Sequence, residues 1–202
     1  MNKIDDTHPY YLGFDAETTG VDPDKDILVE IGMTAFDRHL RPLKSWKSMV
    51  NSHRYQECLQ LATPYVSNMH AHSGLWADME SAGGSDTRSK AVQAQALEWI
   101  DENGYRNLPM LGSSVAFDRS FLKVEMPQLL EAFHYRSIDA ISLCLIAEHT
   151  AGVMPAKYLT PGSAPGRCTG RSMTHRPLCR PYSCMPDWLN CRNKAKHPCA
   201  SP

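Results

Sequence analysis

The sequence predicts an α/β fold, a mixed five-stranded sheet flanked by helices and followed by an irregular C-terminal tail. Three observations predict it. Period-two segments crowd the first 50 residues, short apolar runs then alternate with stretches of helical period, and periodicity collapses after about Gly152. A meander followed by strand–helix alternation implies a sheet of mixed direction.

The elements follow in order. Tyr10 to Asp15 (YYLGFD) reads as the first strand, running into a turn-rich stretch from Thr18 to Asp26. Ile27 to Phe36 alternates, with Ile27, Val29, Ile31, Met33 and Ala35 on one side and Glu30 and Thr34 on the other, the mark of a strand half-covered by helices. Leu43 to Val50 returns as a third strand. Thr87 to Asn103 places Val92, Ala96, Trp99 and Ile100 at helical spacing, with Asp86 as the expected N-cap and Gly104 as the stop. Leu108 to Gly112 is a short strand, Phe117 to Met126 a helix, and Pro127 opens a further turn up to Phe133. Tyr135 to Asp139 is the last strand and Ala140 to His149 the last helix.

The 202 residues fit one domain with a tail, residues 1–150 and 151–202, and the 42% apolar content is enough for a core. Eight of the 14 prolines fall between Pro155 and Pro202, in a stretch too broken to offset its ordering entropy. The net charge of −1 hides an asymmetry. Residues 149–202 hold eight Lys and Arg against one acid, Asp187, leaving 21 acids and 13 bases in residues 1–148. An acidic body that binds a polyanion needs cations as mediators, so metal is the first expectation. No apolar run reaches the roughly 18–20 residues of a membrane span, and Met1 to Tyr10 is polar, so a cytoplasmic location is the default. Of seven cysteines, five crowd the tail; Cys184, Cys191, Cys199 and His197 have spacings that fit no standard zinc knuckle.

Asp15 and Glu17 stand two apart on an extended segment, so their carboxylates share one side. Two such groups need a cation or a proton between them. Asp118 lies in the first turn of a helix after a short strand, and ligand sites in open α/β sheets gather at strand ends, so it is placed to join them.

These segments carry a resemblance. FDAETTG (14–20) resembles the first motif, and GSSVAFDRSFL (112–122) the second motif, of the DEDD exonucleases. MHAHSGL (69–75) and MPQLLEAFHYRSID (126–139) resemble signatures of the oligoribonuclease branch, and favour it over epsilon-like proofreading exonucleases. The resemblance implies a ribonuclease H-like fold and a 3′→5′ exonuclease that degrades short single-stranded RNA or DNA to nucleoside 5′-monophosphates. It implies two divalent ions, Mg²⁺ or Mn²⁺, at Asp15, Glu17 and Asp118, and a homodimer. It further implies that Val21 wedges against the bases, that Tyr65 stacks on the terminal base, and that Ser114 and Arg136 hold the 5′ phosphate.

The third motif of the histidine subfamily has the form H-x-x-x-x-D. Thr174-His175-Arg176-Pro177-Leu178 matches its opening, making His175 the implied general base, but Arg180 stands where the acid is expected. Three carboxylates under-neutralise two divalent ions, which predicts weakened metal binding and reduced turnover. A second expectation keeps the fold as a nucleic-acid-binding relative without catalysis. The abrupt end of the pattern after Leu178 is what a shifted reading frame or a recombined end would leave.

Overall fold

In the computed structural model the described residues are 8–82 and 86–151. They form a five-stranded sheet in the order β3-β2-β1-β4-β5. The strands are β1 (Tyr11–Thr18), β2 (Leu28–Phe36), β3 (Pro42–Met49), β4 (Pro109–Gly112) and β5 (His134–Asp139). β1, β2 and β3 pair antiparallel, and β4 and β5 join in parallel, as a meander followed by strand–helix alternation requires. The sheet is therefore mixed, as expected. β1 is longer than the sequence pattern suggested, so Asp15 and Glu17 lie within the strand and not in the turn beyond it.

The helices are α1 (Tyr55–Leu61), α2 (Pro64–Ser73), α3 (Leu75–Ser81), α4 (Ser89–Glu102), α5 (Val115–Glu125), α6 (Pro127–Ala132) and α7 (Ala140–Ala151). The main core lies on the face of β1 that carries Leu12, Phe14 and Ala16, against Ile100 of α4, Phe121 of α5 and Leu129 of α6. Each fully buried side chain of this kind contributes about 1.5–3 kcal/mol. A smaller cluster joins Ile27 and Val29 to Leu75, Trp76 and Met79 of α3. Every residue of β2 is buried, with Phe36 against Leu111 on the side away from the main core, which corrects the expectation of a half-covered strand. Its alternation marks two different packings and not one wet face.

Helices α1 to α3 carry no period that singles them out in the sequence. They are short, opened by Thr63, which caps Val66 N–H at 3.3 Å, and Pro64, and divided by Gly74 at φ 80°. The expected N-cap of α4 is also corrected. Asp86 bonds Arg88 through both backbone and guanidinium, and the helix starts later, at Ser89, with Arg88 at the cap position. Ser89 instead joins Asn51 and Glu125 in a polar knot that ties α4 to the end of α5 and the exit of β3. Gly104 does end α4, at φ 68°.

Candidate active site

The site follows from the shortness of β4. β1 pairs with β4 only at Leu12↔Met110 and Gly13↔Leu111, after which β4 ends at Gly112 and the chain turns into α5. The edge of β1 beyond Gly13 therefore lacks a strand partner on that side, and its N–H groups need another acceptor. Asp118, on the first turn of α5, supplies one: its Oδ1 accepts the Ala16 N–H at 3.1 Å. Ala16 is the residue between Asp15 and Glu17, so a single backbone bond fixes the third acid against the other two. Gly112 makes the approach feasible, since a Cβ there would meet the Phe14 carbonyl oxygen at 3.1 Å and Val115 Cγ2 at 3.2 Å.

Asp118 is 4% exposed. Its burial, and next the neighbouring Asp15 carboxylate, hold it well above the usual carboxylate range; Glu17 adds to this, and bonds from backbone N–H groups oppose it. Asp15 and Glu17 thus both oppose ionisation of Asp118. Among the described residues, no three acidic, His or Cys side chains converge tightly enough to enclose an ion as they stand. The two observations agree once distance is separated from coupling: the acids are near enough to perturb one another and stop short of a closed cage. Carboxylate oxygens are the donors that hard divalent cations such as Mg²⁺ or Mn²⁺ take, so the residues fit such ions in chemistry.

Next to Glu17 opens a shallow cleft lined by Ala16, Glu17, Thr18, Gly20, Val21, Tyr65, Val66 and Met69. Val21 and Tyr65, 44 residues apart in sequence, thus share one wall with a predicted metal-ligating acid. Both are more than half exposed, at 56% and 58%, which is not the signature of packing residues. The turn that carries Val21 is rigid: Asp26 accepts from Thr19 Oγ1 and from Asp22 N–H, at 3.0 and 2.9 Å.

Two residues beside the site had no role assigned from sequence. His70, 1% exposed, donates from Nε2 to the Thr18 carbonyl oxygen at 2.9 Å, while its Nδ1 lies 3.7 Å from Glu17 Oε2. It sits edge-on to Trp76 and pins α2, with Tyr65, to the end of β1. Asp139, at the end of β5, accepts from Ser114 N–H at 3.2 Å and Val115 N–H at 3.1 Å, and from Ile141 N–H at 2.9 Å. The sequence signals were only their places in the MHAHSGL block, for His70, and at the end of the MPQLLEAFHYRSID block, for Asp139.

Ser114 is the N-cap residue of α5. Arg136 lies on β5 with its guanidinium over the Tyr135 ring, 5.1 Å from the centroid, and is not among the residues lining the cleft. His175, Arg180 and the tail cysteines Cys184, Cys191 and Cys199 lie outside the described residues, as does all of 152–202.

The chain is matched by known proteins. The RNase T family model, described as an exonuclease, matches residues 12–164. Oligoribonuclease of Pasteurella multocida (strain Pm70) is 31% identical over 133 residues, covering 65% of this chain and 70% of that protein. Oligoribonuclease of Xanthomonas campestris pv. campestris (strain 8004) is 31% identical over 148 residues, covering 73% and 74%. That of Pseudomonas aeruginosa (strain PAO1) is 31% identical over 141 residues, covering 69% and 76%. The zinc-bound Escherichia coli exonuclease I–ssDNA complex superposes with a TM-score of 0.50 at 15% identity over 75% of this chain, a likeness of fold in which this chain spans about a third, 32%, of that protein's length. The chain belongs to the RNase T exonuclease family, among the oligoribonuclease-type DEDDh nucleases, and is a nuclease of ribonuclease H-like fold.

Proposed function

We propose that this chain is a 3′→5′ exonuclease that hydrolyses short single-stranded oligonucleotides to nucleoside 5′-monophosphates. One observation carries the reading: the Asp118 carboxylate is bonded to the backbone between Asp15 and Glu17, beside a cleft that also holds Val21 and Tyr65. Asp15, Glu17 and Asp118 would hold two divalent ions, Mg²⁺ or Mn²⁺. When bound, such ions neutralise the phosphodiester and lower the barrier to attack by water. Val21 and Tyr65 bracket the terminal bases, a sequence-tolerant contact because every base presents a π-face. Ser114 and Arg136 hold the 5′ phosphate and so favour a substrate of few nucleotides. His175 takes the proton of the attacking water. Residues 1–150 are the catalytic domain and residues 151–202 a separate Pro-, Cys- and Arg-rich tail.

The homodimer implied by the family gains support from α7, where Leu143, Leu145 and Ile146 are exposed, and from Tyr135, 72% exposed on the edge strand β5. Light scattering on the full chain and on Ile146→Asp tests it: a dimeric parent and a monomeric variant are expected, and a monomeric parent refutes the assignment.

A second reading has its own observation. Arg180 occupies the position of the fourth acid, and the family match ends at residue 164, before His175. On that reading the chain binds nucleic acid and cleaves slowly or not at all. A labelled dinucleotide incubated with Mn²⁺ or Mg²⁺ separates the two, with Asp15→Ala as control. Release of mononucleotide that needs both metal and Asp15 supports the exonuclease; retention of intact dinucleotide supports the second reading. Translating the coding DNA in the other two frames past Leu178 tests whether a helical continuation with the missing acid was lost by a slip.

A further inference from the structure

An N-cap serine ordinarily adopts an extended backbone and turns its hydroxyl back onto the second or third N–H of its own helix. Ser114 does neither. It sits at φ 57°, ψ 44°, in the left-handed region, and makes no side-chain capping bond to α5. A non-glycine residue held there costs about 1 kcal/mol, and it persists only where neighbouring bonds enforce it. The enforcing group is Asp139. Its Oδ1 accepts from Ser114 N–H at 3.2 Å and its Oδ2 from Val115 N–H at 3.1 Å. The same Oδ1 also accepts from Ile141 N–H at 2.9 Å and Ser142 N–H at 3.4 Å, in the first turn of α7. Asp139 pairs with Gly112 in the β4–β5 register, which sets it beside the turn into α5.

One carboxylate thus takes the backbone donors at two helix N-termini. The charge also complements the positive ends of both helices. Asp139 takes the N–H groups of Ser114 and Val115, not the second or third N–H that a capping serine serves, and by holding Ser114 left-handed it leaves the hydroxyl without a bond to its own helix.

We propose that Asp139 is a positioning residue for recognition of the substrate's 5′ end. It holds Ser114 in the left-handed conformation and frees its hydroxyl to meet the 5′ phosphate. This rests on the role assigned to Ser114 under the proposed function. Asp139 touches neither the reacting phosphodiester nor the metal-ligating acids; it acts through Ser114.

The test is binding, so it does not depend on turnover. Dissociation constants are measured by calorimetry for a phosphorothioate-linked dinucleotide with and without a 5′ phosphate. The full chain is compared with Asp139→Ala, Asp139→Asn and Ser114→Ala. In the parent chain the 5′ phosphate tightens binding. In Asp139→Ala that preference falls about tenfold, the scale of one lost charge-assisted hydrogen bond. Asp139→Asn, which keeps an acceptor oxygen in the same place, retains part of it and guards against a variant that fails to fold. The double variant Ser114→Ala/Asp139→Ala loses no more than Asp139→Ala alone, because both act through one hydroxyl. Equal weakening for the two ligands, or losses that multiply in the double variant, overturns the role of Asp139. A parent chain indifferent to the 5′ phosphate overturns the Ser114 assignment itself, and the inference with it.

Discussion

Replacing Asp118 with Asn removes one charge and keeps the shape, and the consequence depends on whether metal is present. The introduced amide oxygen can still accept the Ala16 N–H that the carboxylate now takes at 3.1 Å, so the backbone bond survives. What disappears is a charge on a group 4% exposed, beside Asp15 and Glu17. In chelator that charge is uncompensated, and its removal should stabilise the fold by about 1–3 kcal/mol, the usual desolvation cost of a buried polar group. For a domain of this size each kcal/mol shifts Tm by roughly 2–4 °C, so the variant should melt about 2–12 °C above the parent. With a divalent ion at about one thousand times its Kd the parent should gain about 4.1 kcal/mol. The variant should gain little, having lost one of three ligands. The order of the two melting temperatures therefore inverts between chelator and Mn²⁺, which differential scanning calorimetry reads directly.

The pH dependence gives a second readout of the same group. Asp118 is raised above its unfolded value of 3.8, so the folded, metal-free chain binds its proton more tightly than the unfolded chain. Stability from this group is complete below about pH 3.8 and is lost as pH rises through the raised folded value. The chelated parent should lose stability over that interval relative to Asp118→Asn. Melting temperatures that keep the same order in chelator and in Mn²⁺ would refute the claim that the three acids form one cation site.

Three further outcomes are expected. Tyr65→Ala should weaken oligonucleotide binding by about 1–3 kcal/mol, the value of one base–aromatic stack, and leave Tm nearly unchanged because Tyr65 is 58% exposed; fluorescence anisotropy and a melt check the two halves. Gly112→Ala should destabilise by about 1–3 kcal/mol in urea, since the new methyl meets the Phe14 carbonyl oxygen at 3.1 Å, backbone that cannot swing away. Cys58 is buried and its thiol is pushed up to about 11, chiefly by burial, so a thiol-specific alkylating reagent should label it only on unfolding. Labelling of the native chain at Cys58 at neutral pH would contradict the packing of α1 on the second cluster.

The five strands were legible because each is a local pattern: alternation in β2, a short apolar run in β4, and turn residues between them. The acids were legible for a related reason. Asp15 and Glu17 share a face by strand period alone, and Asp118 is placed by the rule that a helix following a short strand starts at the sheet's carboxyl end. What escaped was set by partners distant in sequence. The burial of the second face of β2 depends on distant partners, Leu111 against Phe36 and Ser45 and Lys47 against Thr34 and Glu30, and no pattern within β2 announces it. Helices α1 to α3 were hidden by their length and by Pro64 and Gly74, which break any period before it can accumulate. Asp86 has the chemistry of a cap, but Arg88, two residues away, competes for it and wins. The bonds of Asp139 to Ser114 and Val115 span 25 and 24 residues, and only the folded chain shows them.

β4 has four residues, and that brevity has an effect on how the protein can change. The notch where Asp118 lodges exists only because the neighbouring strand falls short there. Pairing extended along β1 as far as Ala16 would hand its amide to a carbonyl and evict the acid, with every carboxylate still present in the sequence. Insertions just after Gly112, where Gly112 and Ser113 are buried, should consequently be damaging, and loss of the site can come from a turn that contains none of the three acids.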